Sequence, residues 1–428
     1  MSELFSATFL LLTKCIQMDV YFAIPVLDEN DFLFKTLDCI AEQSYSGKIF
    51  VYICVNQPDS WWNTTDKNSI CLRNQALFHQ LERGYRDLDI HLIDKTRKGN
   101  GWLDKKCGVG IARKTIADEI LTYASDTDIF ISMDADTLFE NNFVQEIVLA
   151  FQSFPEAVAL NLPYYHSLSG NEVQDRALLR YELYLRNYML NMLRINSPYA
   201  FTAFGSAIAC KIQDYKAVRG FDTQMAGEDF YFLQKMAKYG KIKLHTDINV
   251  FPSSRFSERV VFGTGTALAD FQKNTYIRYP FFYFSSFDNI QKTYLLIDEL
   301  FTKDLENEFL EFQKNNCKVD LNWGKLRNNF KTLPMFTKAF HHKIDGLRLF
   351  QYVRYAQKKL SIRDEACLMA FMNQFYPNKI QSIIDDVNAF SFQNSSLKSL
   401  ILLRDFLFLE EDKMRKQHDS RIFTQKKE

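Results

Sequence analysis

The chain has 428 residues, and its 52 basic side chains balance 52 acidic ones, so its formal net charge is zero. This balance disfavours proteins that hold polyanions by diffuse attraction, because such binding needs a basic excess. Aromatic residues make up 15% of the chain, which has only 15 glycines and 9 prolines; this composition excludes disordered and collagen-like proteins. The length suggests two or three domains, and no apolar run is long enough to predict a membrane-spanning helix.

Short apolar, β-rich runs alternate with helical patterns in the first half of the chain. The candidate strands are residues 20–25, 49–55, 90–93, 129–133 and 157–162, and the candidate helices are residues 32–43, 110–124 and 142–151. The strands are apolar without alternation, which indicates burial on both faces, as in a parallel sheet flanked by helices. We therefore expect an α/β doubly wound sheet in this part of the chain.

The pattern changes in the second half. A long helix is predicted over residues 172–193, and short strands are predicted at 204–210 and 241–244. Beyond residue 281 the strand signal fades, and helical patterns cover residues 292–314, 344–360, 363–375 and 395–416. We therefore predict two domains, an α/β domain over residues 1–280 and a helical C-terminal domain over residues 281–428.

The most specific chemical motif is Asp134-Ala135-Asp136, which follows the apolar run 129–133. A parallel strand delivers such residues to the carboxyl edge of its sheet, where α/β folds bind ligands. Two carboxylates there suit Mg²⁺ or Mn²⁺, which completes its shell with diphosphate oxygens. The alternative is that these aspartates cap the helix that begins near Asn141.

The first predicted strand runs into a turn, Pro25-Val26-Leu27-Asp28-Glu29-Asn30, and then into an amphipathic helix over residues 32–43. Together with the two aspartates, this turn and helix resemble the family 2 glycosyltransferases of the GT-A fold. In that family a Pro-x-Tyr-Asn-Glu turn precedes a helix of the FLxxTLxSLxxQ type, whereas here Leu27 and Asp28 replace Tyr and Asn. The resemblance implies a mixed, mainly parallel GT-A sheet and places three residues at the nucleotide: Pro25, Asp28 and Glu29.

Two further segments fit this resemblance. Asn56 ends the second predicted strand, where such transferases often carry an Asp that hydrogen-bonds the uracil edge, and its amide can both donate and accept. Residues 98–114 hold four glycines and five basic side chains and resemble the family's G-x-x-x-ARN stretch, with Arg113 as the matching arginine and Lys114 in place of Asn. The alternatives are an Asn that starts a turn and a flexible, solvated loop.

The acceptor side of the resemblance is carried by Gly227-Glu228-Asp229, which follows a GGFD-like turn at residues 220–222. In the family this position holds the catalytic base, so the resemblance implies that Asp229 deprotonates the acceptor hydroxyl and that Glu228 supports it. An inverting transfer needs one such carboxylate within hydrogen-bond reach of the acceptor. The alternative is an acidic pair that complements a helix N-terminus.

Two later features have less specific patterns. His245 follows the predicted strand at 241–244, and some GT-A enzymes complete the metal shell with a histidine in this part of the chain; a structural histidine is the alternative. Residues 252–265 include Arg255 and Arg259, whose guanidinium groups can bind a diphosphate or an anionic acceptor. A structural turn between the domains is the other interpretation of that loop.

We therefore predict a cytoplasmic, Mn²⁺- or Mg²⁺-dependent glycosyltransferase that takes a sugar from a nucleotide-diphosphate donor, of the UDP type, and inverts the anomeric centre. The acceptor would be a glycan, a lipid-linked molecule or a small molecule, with contact to the inner face of a membrane left open and no nucleic-acid partner. A nucleotidyltransferase and an inactive binding protein are the alternatives. The first would need a glycine-rich loop after the first strand, and residues 25–30 contain no glycine.

Overall fold

The computed structural model describes residues 17–255, 279–384 and 386–424. Among these residues, seven strands form one sheet in the order β3-β2-β1-β4-β7-β6-β8. They are β1 (Val20–Val26), β2 (Ile49–Asn56), β3 (Asp89–Lys95), β4 (Ile129–Ser132), β6 (Ala157–Asn161), β7 (Ile208–Lys211) and β8 (Lys241–Lys243), and a separate two-stranded ladder pairs β5 (Thr137–Phe139) with β9 (Val250–Pro252).

The first four strands of the sheet are parallel, β7 runs antiparallel to both of its neighbours, and β6 and β8 are parallel. This arrangement confirms the predicted mixed, mainly parallel sheet. Strand β1 lies at its centre with nearly every side chain buried, and its Phe22 is in register with Val51 on one side and Ile131 on the other. Continuous apolar strands are therefore buried on both faces, as their pattern predicted.

Helices cover the sheet and make up most of the second half. Those before residue 255 are α1 (Asn30–Ala41), α2 (Asn68–Leu81), α3 (Val109–Ile120), α4 (Phe143–Ser153), α5 (Glu172–Arg194), α6 (Ile212–Ala217) and α7 (Glu228–Tyr239). Those after residue 279 are α8 (Ser285–Leu295), α9 (Ile297–Leu300), α10 (Glu308–Asn315), α11 (Trp323–Asn329), α12 (Leu333–Lys343), α13 (Gly346–Leu360), α14 (Asp364–Phe375), α15 (Pro377–Ile383) and α16 (Leu397–Thr424). Within the described ranges, no helix is both long and apolar enough to cross a membrane.

Two predicted elements differ from the structure. The strand predicted at 204–210 begins only at Ile208, because the side chain of Asn161 bonds both the N–H and the C=O of Thr202 and so replaces a strand ladder just before it. The helix predicted over 292–314 is divided into α8, α9 and α10. Helix α10 begins afresh after Asn307, whose side chain caps it by accepting the N–H of Leu310. Local polar groups thus interrupt patterns that apolar periodicity alone would continue.

The C-terminal helix α16 packs along α5 through a buried group of charges that we call the α5–α16 network: Glu182, Arg186, Arg404, Glu411 and Arg415. Arg186 bonds Glu182 on its own helix and Glu411 on α16, the latter at 3.0 Å. Arg415 bonds Glu411 at 2.8 Å and also the carbonyl of Asn161, at the end of β6, at 2.9 Å. One hydrophobic core therefore contains residues from both sides of residue 280, and the domain boundary there stays a prediction.

Candidate functional site

The carboxyl ends of β1, β2 and β4 meet at one edge of the sheet because these strands are parallel. The residues that follow them there are the turn after Val26, the segment after Asn56 and the segment that holds Asp134 and Asp136. Helices α3 and α7 supply Arg113 and the Glu228–Asp229 pair. The edge that topology selects as a ligand site is thus the edge that carries the charged motifs.

Arg113 joins the two predicted halves of the site. Its side chain is buried, with 2% exposed, and its Nη1 donates to the hydroxyl of Ser132 at 2.6 Å. Its Nη2 donates to Asp134, and its Nε donates to Glu228 at 3.1 Å. A single guanidinium therefore fixes the position of the first DAD carboxylate relative to the start of α7.

Two glycines allow Arg113 and α3 to approach their neighbours this closely, and the sequence pattern did not predict this role. A Cβ at Gly205 would lie 2.0 Å from Nη2 of Arg113, so any larger residue would collide with the guanidinium. A Cβ at Gly110 would lie 2.3 Å from the carbonyl oxygen of Gln224, in the segment just before α7. Gly110, which belongs to the predicted G-x-x-x-ARN stretch, thus lets α3 pack against that segment.

A second arginine binds the other DAD carboxylate. Arg255 lies three residues beyond Pro252 of β9, which pairs with Thr137 of β5 directly after Asp136. This ladder brings the Nη2 of Arg255 to 2.9 Å from Asp136 Oδ2, and the same nitrogen bonds the carboxylate of Glu29. The guanidinium also stacks on Phe32, 4.2 Å from the ring centre. Both aspartates are therefore bonded to arginines, rather than capping α4 as the alternative required.

Carboxylates outnumber cations at this edge, and their pKa values reflect it. Burial, with the nearby charges of Glu29 and Asp134, raises the pKa of Asp136 to about 6 although Arg255 opposes the rise. Burial and the neighbouring Asp229 raise the pKa of Glu228 to about 7 against the effect of Arg113. Burial also raises the pKa of Asp229, although the N–H of Phe230 and Arg113 both oppose it. The site thus holds more negative charge than its two arginines balance.

The predicted nucleotide residues are committed to contacts within the chain. Asp28, in a left-handed conformation with φ of 58°, accepts two hydrogen bonds from Arg73 at 2.7 and 2.8 Å. The buried Asn56 donates to the carbonyl of Val26 at 2.9 Å and accepts the indole N–H of Trp102 at 3.0 Å. Pro25, in contrast, is a strand residue of β1, partly exposed. Asn56 therefore fixes the end of β1 and the position of Trp102.

The glycine-rich segment is partly docked rather than wholly solvated. The backbone N–H of Trp102 donates to the carbonyl of Gln57 at 2.9 Å, and the backbone carbonyl of Trp102 accepts the N–H of Asp59 at 2.8 Å. The ammonium of Lys95 lies 5.0 Å from the centre of the Trp102 ring. The anchoring role of Trp102 was not predicted, since a lone aromatic residue in a polar loop has no periodic partner to reveal its contacts.

The structure places His245 apart from the two aspartates. Its ring bonds Asp412 of α16 at 3.1 Å and lies 3.6 Å from Asp247, and its backbone N–H donates to Asp419 at 2.8 Å. In the described part of the chain, no group of three or more His, Cys, Asp or Glu side chains is arranged to hold a metal ion. Arg259, the remaining predicted site residue, lies outside the described residues.

The residues that are present nevertheless suit a divalent cation bound together with a phosphate ligand. Mg²⁺ and Mn²⁺ prefer oxygen donors, and Mg²⁺ usually takes one or two carboxylates and fills its shell with substrate phosphates and water. Asp134 is 36% exposed and Asp136 is 23% exposed, and an arginine already donates to each of them. The donor set therefore fits a cation that shares its shell with a diphosphate, without help from His245.

Comparison with known proteins agrees with the sequence resemblance. A family model described as "Glycosyl transferase family group 2" matches residues 129–302, a stretch that includes both aspartates of the DAD motif and the Glu228–Asp229 pair. The predicted resemblance to family 2 glycosyltransferases is thus confirmed, and it supports a role in glycosyl transfer. No curated protein matches the sequence.

Several solved glycosyltransferase structures are similar to the chain at low identity. Staphylococcus aureus TarS 1–349 in complex with UDP-GlcNAc is 12% identical, with 94% of this chain and 92% of that chain covered and a TM-score of 0.40. The mannosyltransferase PcManGT from Pyrobaculum calidifontis, in complex with GDP-Man and Mn²⁺, is 14% identical, with 95% and 94% covered and a TM-score of 0.37.

Proposed function

We propose that this protein is an inverting glycosyltransferase that moves a sugar from a nucleotide-diphosphate donor, of the UDP type, to a hydroxyl group of an acceptor. The observation that carries this proposal is the contact of one buried arginine with both motifs: Arg113 bonds Asp134 of DAD and Glu228 beside Asp229. Transfer requires the donor's leaving group and the acceptor's base to be held in a fixed relation. Arg113 supplies that relation within the chain.

The donor side of the proposal rests on Asp134 and Asp136. These carboxylates would hold Mn²⁺ or Mg²⁺, which when bound offsets the negative charge of the leaving diphosphate. The nucleoside would lie along the turn after β1 and the end of β2, near Pro25, Asp28 and Asn56. Arg255, Glu29 and Arg259 complete the set that we assign to this side.

On the acceptor side we assign the base to Asp229. Glu228 is 3% exposed and bonded to Arg113, whereas Asp229 is partly exposed and accepts the N–H of Phe230 at 2.7 Å. The proton of the acceptor hydroxyl passes to the Asp229 carboxylate as the hydroxyl oxygen attacks the anomeric carbon. The bond from that carbon to the diphosphate oxygen breaks, and the diphosphate leaves with the electron pair. The raised pKa of Asp229 makes it a better proton acceptor than an exposed aspartate.

Donor binding is tested by a thermal-shift screen of nucleotide sugars in the presence of Mn²⁺. A ligand that binds only the folded protein raises its melting temperature, so we expect at least one nucleotide sugar to do so. The shift should disappear in Asp136→Ala and persist in Asp304→Ala, which removes an exposed carboxylate paired with Arg327 in the helical part. The proposal fails if no nucleotide sugar shifts the melting temperature, with or without the metal.

A further inference from the structure

Arg255 is held at Asp136 in an incomplete way. One nitrogen, Nη2, donates to the carboxylates of both Glu29 and Asp136. The Nε of the same guanidinium is buried and has no hydrogen-bond partner among the described residues. A guanidinium grips an oxyanion best through two parallel N–H bonds from Nε and Nη or from both Nη atoms. A buried N–H left without a partner also costs free energy. The present contacts therefore leave the Nε–H of Arg255 able to bind another anion.

The guanidinium of Arg255 lies where a metal cation bound by Asp136 would be expected to lie. The guanidinium lies between two carboxylates and bonds both of them, Glu29 and Asp136, through Nη2. A divalent cation would satisfy the same oxygens. The guanidinium and a divalent ion have like charge and would compete for Oδ2 of Asp136.

We propose that the guanidinium of Arg255 occupies the cation position at Asp136 when no donor is present, and must leave it for a divalent cation to bind. This inference rests on the proposed function, which supplies the anion that Arg255 would then bind, the diphosphate of a donor. Because Arg255 gains a new partner only when a diphosphate is present, the nucleotide and the cation should bind with positive coupling. By linkage, each then strengthens the binding of the other by the same factor.

The test measures Mn²⁺ affinity directly, by electron paramagnetic resonance of free Mn²⁺ in titrations of the full-length protein. The wild type should bind Mn²⁺ weakly alone and more tightly with UDP, after correction for Mn²⁺ bound by UDP in a protein-free titration. Arg255→Gln should bind Mn²⁺ alone about tenfold more tightly than the wild type, because a charge-assisted hydrogen bond no longer has to break. UDP should then increase the affinity of this variant less.

Two further variants make the result specific. Arg327→Gln removes the same charge from a pair in the helical part, in which the partner Asp304 is exposed, and should leave Mn²⁺ affinity unchanged. Phe32→Leu keeps every charged group but removes the ring beneath the guanidinium, so Mn²⁺ affinity should rise by a smaller factor than in Arg255→Gln. If Arg255→Gln fails to fold, Phe32→Leu still tests the inference, because it keeps the arginine.

The inference is overturned if Arg255→Gln binds Mn²⁺ without nucleotide no more tightly than the wild type, or if neither protein binds Mn²⁺ at all. Its failure is separable from failure of the proposed function. A nucleotide sugar that binds and is turned over, with Mn²⁺ affinity unaffected by Arg255→Gln, removes the inference alone. Absence of any sugar transfer, with the Mn²⁺ and UDP titrations as predicted, removes the transferase proposal and leaves the competition at Asp136 in place.

Discussion

The candidate site and the α5–α16 network both pair arginine with carboxylate, but the two regions differ in the balance of charge. The site sets five carboxylates against two arginines: Glu29, Asp134, Asp136, Glu228 and Asp229 against Arg113 and Arg255. The network sets two carboxylates, of Glu182 and Glu411, against three arginines. The third arginine of the network, Arg404, also pairs with Asp405 at 2.7 Å, so the network is balanced in charge whereas the site lacks positive charge.

The pKa values show what this difference does. Burial alone would raise the pKa of Glu182, but Arg186, His166 and Arg404 together lower it to about 2. Burial and carboxylate neighbours instead raise the pKa of Asp136 to about 6 and that of Glu228 to about 7. Glu182 is therefore fixed as an ion that holds the two helices together, whereas Asp136 and Glu228 are more readily protonated than ordinary carboxylates.

The largest effect on stability is expected in the network. Arg186→Ala would leave Glu182 and Glu411 buried without their main partner, at a cost of about 3–5 kcal/mol in the free energy of unfolding. Urea unfolding of the two proteins measures this loss. The control variant Lys216→Ala breaks an exposed pair with Asp126 and should cost less than about 1 kcal/mol. Similar losses in both variants would remove the distinction between a buried network and an ordinary surface pair.

A carboxylate of the site should matter to activity and little to stability. Asp229→Asn removes the proposed base, so we expect kcat to fall about 100-fold or more with the free energy of unfolding nearly unchanged. Release of nucleoside diphosphate from the donor gives kcat. Asp222→Asn, a few residues earlier and paired with Lys235, is the control and should retain activity. If Asp229→Asn were instead as destabilised as Arg186→Ala, its carboxylate would belong to the scaffold.

A substitution at Gly205 tests whether the position of the Arg113 guanidinium matters to the reaction. Gly205→Ala puts a methyl group into the guanidinium, which should cost about 1–3 kcal/mol of stability and lower kcat as Arg113 moves from Asp134. Gly324→Ala is a matched control, because its new methyl group would meet no atom closer than 3.7 Å. Thermal unfolding and kcat measured on both variants decide the matter; unchanged kcat in Gly205→Ala would show that the position of Arg113 is not critical.

The raised pKa values also predict a pH dependence of stability. The folded-state pKa values of Asp136 and Glu228 are raised, so the folded protein binds more protons than the unfolded chain between about pH 4 and 7. Their contribution to stability is thus present at low pH and lost as pH rises through 6 and 7, on the order of 2 kcal/mol between pH 5.5 and 7.5. Melting temperatures in EDTA at pH 5.5, 6.5 and 7.5 measure it. The double variant Asp136→Asn/Glu228→Gln should flatten the profile, and an equally steep profile would contradict the assignment.

The sequence predicted the site's carboxylates better than their partners. Asp134, Asp136 and Asp229 follow or begin regular elements, so that apolar runs and parallel topology were enough to place the first two at the correct edge of the sheet. Arg255 reaches Asp136 only through the β5–β9 ladder, which pairs residues more than a hundred positions apart. Three-residue strands carry too short a pattern to be recognised, and sequence gives no register for such a distant pair.

The α5–α16 network could not be predicted from sequence for a related reason. Helix α16 was predicted as an ordinary helical pattern over 395–416, and nothing in it shows that Arg415 would bond the carbonyl of Asn161 or that Asp412 and Asp419 would contact His245. The isolated histidine next to a predicted strand was consistent with a metal ligand until its neighbours from α16 were known. Contacts between distant helices depend on packing, which local periodicity does not encode.

The most direct test of glycosyl transfer at this site is the release of nucleoside diphosphate from the nucleotide sugar that binds best, measured with Mn²⁺ and with EDTA. We predict release by the wild type with Mn²⁺, little release in EDTA, and none by Asp136→Ala with a normal melting temperature. Release by Asp136→Ala at the wild-type rate, or equal release in EDTA, would contradict a metal-dependent transfer at Asp134 and Asp136.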